Sequence, residues 1–158
     1  MLASITALIS AAALAAAAPG SSPPSLATRQ QEAPLAKWPA INFSAGCAPH
    51  AGGCIALFNI SAPAGYIARA PAFAVTCHPL VPQKGFWLNC DDHTDPANPS
   101  SHVETTWGDG SQGDLIKVSV AHIWTEASGQ RNNASGSAEI DGGMATFEVP
   151  VTMLTAVL

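Results

Sequence analysis

The chain has 158 residues, 11 acidic and 6 basic, giving a formal charge of -5 with no basic cluster. That balance argues against nucleic acid and anionic membrane surfaces as partners. Apolar residues make up 47% of the whole, a figure raised by the first segment, which is almost entirely apolar.

Residues 1–17 carry no charged side chain and run from Met1 through Leu8, Ile9 and Leu14 into a string of alanines. An apolar core of this length is that of a signal peptide, too short for a stop-transfer helix. Ala15 and Ala17 satisfy the small-residue preference of the cleavage site and place the cut after Ala17. No later stretch reaches about 18 consecutive apolar residues, so a soluble, secreted chain of about 140 residues is expected, with no membrane contact after cleavage. Residues 18–37 are rich in Pro, Ser, Ala and Gln without apolar periodicity and read as a disordered leader, with a trimming site near Arg29. A single folded domain is expected over residues 38–158.

From Trp38 onward, short period-two runs alternate with Gly, Pro, Asn and Asp clusters, which predicts an all-β fold. Three sequons fall among them: Asn42-Phe-Ser44, Asn59-Ile-Ser61 and Asn133-Ala-Ser135; at Asn98 the following Pro99 forbids one. A glycan must face solvent, so Asn42 turns Ile41 and Phe43 inward, and Asn59 turns Ala56, Phe58 and Ile60 inward. Phe73, Val75 and Cys77 share one face of the next run; Phe86, Leu88 and Cys90 share one face of the run after it, with Trp87 pointing outward. Val103–Trp107 follows, then a long run over Leu115–Glu126 whose apolar face holds Ile116, Val118, Val120, His122 and Trp124. A polar loop is expected over Ser128–Asn133, a strand over Gly136–Ile140, and a hairpin turn at Asp141-Gly142-Gly143. Met144–Val151 returns with Ala145, Phe147, Val149 and Val151 inward, and a short strand over Met153–Leu158 ends the chain. Seven or eight short antiparallel strands imply a β-barrel or β-sandwich.

The four cysteines, Cys47, Cys54, Cys77 and Cys90, read as two disulfides in an oxidising compartment. Sequence allows three connectivities. Two inward faces ending in cysteine favour Cys77 with Cys90, which leaves Cys47 with Cys54.

Candidate chemistry is sparse. Cys47-Ala-Pro-His50-Ala-Gly-Gly-Cys54 has the spacing of metal ligands, but oxidation into a disulfide-closed loop is the expected outcome. The acidic loop Asp91–Asp95, with His93, is either a solvated strand end or an ion site. His102 and Glu104 lie two apart and face one side of a strand, either as an exposed charge contact or as a general acid–base pair. His122 reads as a hydrogen-bonded core histidine. The chain has no nucleophile elbow, zinc helix, phosphate loop or cofactor motif. Trp87 is either an anchor on a binding surface or a side chain covered by a loop or a dimer contact.

Ala16-Ala-Ala-Pro19 and the leader segment Ala27-Thr-Arg-Gln30 are typical of small secreted fungal proteins. Ile41-Asn-Phe-Ser-Ala-Gly-Cys47-Ala-Pro-His50 and Cys54-Ile-Ala-Leu-Phe-Asn-Ile-Ser61 resemble the opening two strands of a broad group of them. Phe73-Ala-Val-Thr-Cys77 and Trp87-Leu-Asn-Cys90 are similar to the cysteine pair of the Alternaria major-allergen-like family. That resemblance implies an antiparallel β-barrel, often dimeric, acting as an allergen, elicitor or effector without established enzymatic activity, and it pairs Cys77 with Cys90. The chain lacks that family's extra cysteine for an intermolecular bridge, so any homodimer is expected to be non-covalent. The expectation is therefore a secreted, non-enzymatic effector-like or allergen-like protein that binds a host protein or glycan outside the cell. The alternative is a secreted hydrolase or lyase using His102 and Glu104 near the Asp91–Asp95 loop.

Overall fold

Short amphipathic runs become strands only when a neighbour completes their hydrogen-bond ladder, and here every run except the two at the sheet's edges pairs with strands on either side. The computed structural model describes residues 33–48, 53–79, 85–91, 98–112 and 115–157. The expected signal peptide, most of the expected leader, His50 and the acidic stretch from Asp92 to Asp95 lie outside them. The described residues form β1 (Ala36–Ala48), β2 (Gly53–Ala62), β3 (Phe73–Cys77), β4 (Leu88–Asn89), β5 (His102–Asp109), β6 (Leu115–Thr125), β7 (Arg131–Asp141) and β8 (Phe147–Val157). They contain no helix, and so none long and apolar enough to cross a membrane.

All eight strands belong to one antiparallel sheet in the order β3-β2-β1-β8-β7-β6-β5-β4. The two outermost strands of that order meet. Cys77 at the end of β3 is disulfide-bonded to Cys90 just past β4. The Asp91 amide also donates to the Thr76 carbonyl at 2.8 Å, and the Cys90 amide to the Val103 carbonyl at 2.8 Å. The sheet thus curls into a nearly closed barrel whose seam is stapled covalently. Closing a 13-residue separation by a disulfide is worth roughly 3 kcal/mol in the chain-entropy account. Cys47 and Cys54 stand opposite each other in the β1–β2 ladder; their side chains lie outside the described residues.

Alternation carries the core as expected along β2, β3 and β6: Ala56, Phe58, Ile60, Phe73, Val75, Val118, Val120 and Trp124 are all buried. The interior is filled by two aromatic groups. Trp38 meets Phe73 and Tyr66 edge-on at 5.5 and 5.7 Å, and His122 lies against Phe73 and Trp124 at 4.6 and 5.0 Å. Toward the other end Phe147 meets Phe43 and Phe58 edge-on, and Phe43 stacks on Trp107. An eight-stranded barrel is just wide enough to be filled by side chains or to hold one small ligand. Here side chains fill it.

Four local expectations are corrected. Ile41 was expected inward with Phe43, yet it is 49% exposed. The β1–β2 register shifts between Ile41 and Ser44, and Asn42 adopts a φ of 57°. This bulge rephases the strand, so Trp38 and Ala40 point inward before it and Phe43 after it; asparagine tolerates the left-handed backbone better than most residues. Phe86 was expected inward but is 69% exposed, because β4 begins only at Leu88, beyond Gly85 with its φ of 81°. The expected polar loop Ser128–Asn133 is shorter, with β7 already under way at Arg131. Asn132 is buried there, its amide donating to the Glu126 carboxylate at 3.1 Å, so an inward polar residue is satisfied without ending the strand. Finally, Met144–Val151 and Met153–Leu158 are not two strands. They are one, β8, whose first half pairs with β1 and second half with β7 across a register shift at Ser135/Gly136; Ala145 precedes it and is exposed.

That shift is built on close backbone approach. A Cβ added to Gly136 would run into the carbonyl of Pro150. Gly136→Ala is therefore expected to cost about 3 kcal/mol through forced backbone displacement, measured by urea unfolding; a loss under about 0.5 kcal/mol would contradict this role.

Candidate functional site

The residue most tightly built into the structure is His122, on the inward face of β6 and wholly buried. Its Nε2 lies 2.7 Å from Ser101 Oγ and its Nδ1 lies 2.8 Å from Tyr66 Oη. Ser101 stands just before β5, held by its amide to the Asn98 carbonyl at 3.0 Å. Tyr66 comes from the β2–β3 connection and packs into the aromatic group around Trp38 and Phe73. A neutral imidazole has one donor and one acceptor nitrogen, while each hydroxyl can play either part. One hydroxyl therefore donates to the ring and the other accepts from it, and both ring nitrogens are satisfied.

A serine hydrogen-bonded to a histidine is also the nucleophile and base of a hydrolytic triad. Among the described residues the rest of such a site is not assembled around this pair. The third partner is a phenol in place of a carboxylate, and burial raises the Tyr66 hydroxyl above its usual range, so it stays neutral and cannot stabilise an imidazolium as an anion would. Burial, with a smaller push from the charge of His102, lowers His122 from 6.5 to about 4. The crevice beside Ser101, lined also by Asp91, His102 and Val103, has a volume of about 10 Å³. That is the size of one water molecule. The cluster does structural work: it ties the β2–β3 connection, the entry to β5, and β6 to one another.

The residues singled out in the sequence are placed as follows. His102 and Glu104 do share a side of β5, with Nε2 and Oε1 3.3 Å apart and both side chains partly exposed. Asp91 lines the same crevice as His102, but its carboxylate is engaged at 3.0 Å by His78, a residue sequence reasoning did not select. Asp92, His93 and Asp95 lie outside the described residues, as does any ion-binding role resting on them. Among the described residues, no group of three His, Cys, Asp or Glu side chains gathers to hold a metal. Trp87 is 45% exposed and stands next to Phe86, at 69%, directly before the stapled seam. Asn42 is exposed on its bulge, whereas Asn59 and Asn133 are half-buried within strands.

Sequence reasoning missed Tyr66 and Ser101 as partners of His122, which lie 56 and 21 residues away. Neither belongs to a periodic run; the one clue is that Tyr66 is the chain's single tyrosine. It also missed the latch beside them, where Arg69 in the β2–β3 connection pairs with Glu126 after β6 at 2.9 Å. Arg69 holds a φ of 66° and, with Asn98, Ser100 and Trp124, borders an open cavity of about 520 Å³.

No family model, curated protein or solved structure matches this chain.

The buried imidazole sets a pH dependence. An unfolded His122 takes up a proton below about 6.5 and the folded one only near 4, so the unfolded state binds more protons in between. Stability contributed by keeping His122 neutral is therefore present above pH 6.5 and lost as pH falls to about 4, by roughly 3 kcal/mol in all. His122→Gln is expected to be less stable at pH 7, with the gap to the parent narrowing as pH falls to 4 in a urea-unfolding series. A constant gap would contradict the assignment.

Proposed function

We propose that this protein is a secreted, non-enzymatic binding protein of effector or elicitor type, acting on a host protein or glycan outside the cell. The observation that carries the reading is a contrast between inside and outside. The barrel interior is filled by its own aromatic side chains, while Phe86 and Trp87 stand exposed together beside the disulfide-stapled seam. Exposed tryptophan supplies rigid apolar area with a polar edge and is enriched at protein and sugar contacts. The uncharged apolar start of the chain, its even cysteine count and its three sequons support the compartment. The resemblance to the Alternaria major-allergen-like family supports the effector class.

The hydrolase or lyase alternative draws less support. His102 and Glu104 do meet, but the crevice His102 shares with Asp91 has room for about one water, not a substrate.

Affinity capture from host extracellular fluid tests the binding reading. Retention of a host component by the parent is expected to weaken at least about tenfold in a Phe86→Ala/Trp87→Ala variant. Because both side chains are exposed, the variant's thermal midpoint should stay within about 2 °C of the parent's. Equal retention by parent and variant, or none by either across several hosts, would contradict the proposal.

A further inference from the structure

The outer face of β1–β2–β3 carries an apolar groove of about 380 Å³, bordered by Pro39, Ile41, Asn59, Ser61, Ala74 and Thr76. Its volume falls in the range of pockets that hold small molecules, roughly 300–1,000 Å³. Three of its residues form one cross-strand row: Ile41 is the ladder partner of Asn59, and Asn59 is the ladder partner of Thr76. The bulge at Asn42 turns Ile41 toward solvent, where it is about half exposed. Asn59 and Ser61 are also the first and third positions of a sequon, so the groove is built around a glycosylation acceptor.

The amide of Asn59 is already oriented. Its Oδ1 accepts a hydrogen bond from the Thr76 hydroxyl at 3.0 Å, which turns Nδ2 away from Thr76. An N-linked sugar uses Nδ2 and leaves Oδ1 free to accept, so this hydrogen bond is compatible with the linkage. N-acetylglucosamine carries both an apolar ring face and a methyl group, and Pro39, Ile41 and Ala74 offer the matching apolar surface beside the acceptor.

We propose that Asn59 carries an N-linked glycan and that its first N-acetylglucosamine lies in this groove against Ile41 and Pro39, covering the side chain that the bulge exposes. The inference rests on the secretory reading above. The modification transfers the sugar from a lipid-linked diphosphate donor of the secretory pathway. A bond forms between Asn59 Nδ2 and the anomeric carbon, the bond from that carbon to the diphosphate oxygen breaks, and the amide proton leaves with the diphosphate.

The test is made on the full chain expressed in a glycosylating eukaryotic host, with site occupancy read by mass spectrometry of glycopeptides. In protein trimmed enzymatically to a single N-acetylglucosamine, with labelled isoleucine methyl groups, a nuclear Overhauser contact is expected between the acetyl methyl and Ile41. Ile41→Ser should lower the thermal midpoint of the trimmed glycoprotein by about 3 °C more than it lowers that of an Asn59→Gln protein. Secretion with Asn42 or Asn133 occupied but Asn59 empty would overturn this inference and leave the secretory reading standing. So would an occupied Asn59 with no contact to Ile41 and no difference in midpoint. Retention inside the cell with every sequon empty would overturn the secretory reading, and this inference with it.

Discussion

The fold depends on closing one seam. A twisted sheet of eight antiparallel strands has two edges, and here one of them is β4, with only two ladder residues joined to β5. So short a strand cannot hold its place by hydrogen bonds alone. The Cys77–Cys90 disulfide, the Asp91 amide on the Thr76 carbonyl and the His78–Asp91 pair bring that edge onto β3. Drawing the two edges together leaves less of each open, and exposed edges are where β proteins pair with strangers. It also gives the inward faces of all the long strands a common interior to fill.

What fills that interior decides where function can lie. Trp38, Phe58, Trp124 and His122 are each at most 1% exposed, packed with Tyr66, Phe73 and Phe147 rather than around a vacant calyx. The serine–histidine contact that would attract attention as catalytic machinery belongs to this filling. It joins the β2–β3 connection to β5 and β6, and the Arg69–Glu126 pair latches the same connection from outside. Chemistry that needs a substrate-sized site has no place in that cluster.

Much of the fold was legible because period-two alternation is enforced wherever a strand has one wet face and one dry face. Phe58 and Ile60 could even be oriented from the position of Asn59. Legibility failed where three-dimensional pairing overrides local pattern. Nothing in Ile41-Asn-Phe-Ser says that Asn42 takes a left-handed backbone and shifts the register, since the bulge is fixed by how β1 must serve both β2 and β8. Arg131-Asn-Asn133 has no apolar alternation and reads as the end of a loop, yet it becomes strand because β6 and β8 supply ladders on both sides. The candidate site was legible in part. The His102–Glu104 pair follows from spacing, whereas Trp87 precedes β4 and is exposed together with its neighbour Phe86, so strand alternation does not account for it. Tyr66, Ser101, His78 and Arg69 find their partners across distances that no short pattern encodes.

The claim that one stapled seam holds the barrel closed is tested most directly by native-state hydrogen exchange after selective reduction of Cys77–Cys90. The amides of Cys90 and Asp91, together with those of β3, should lose protection first, while the central β6–β7 ladder keeps its own. Unchanged protection at Cys90 and Asp91 after reduction, or a uniform loss throughout the sheet, would contradict it.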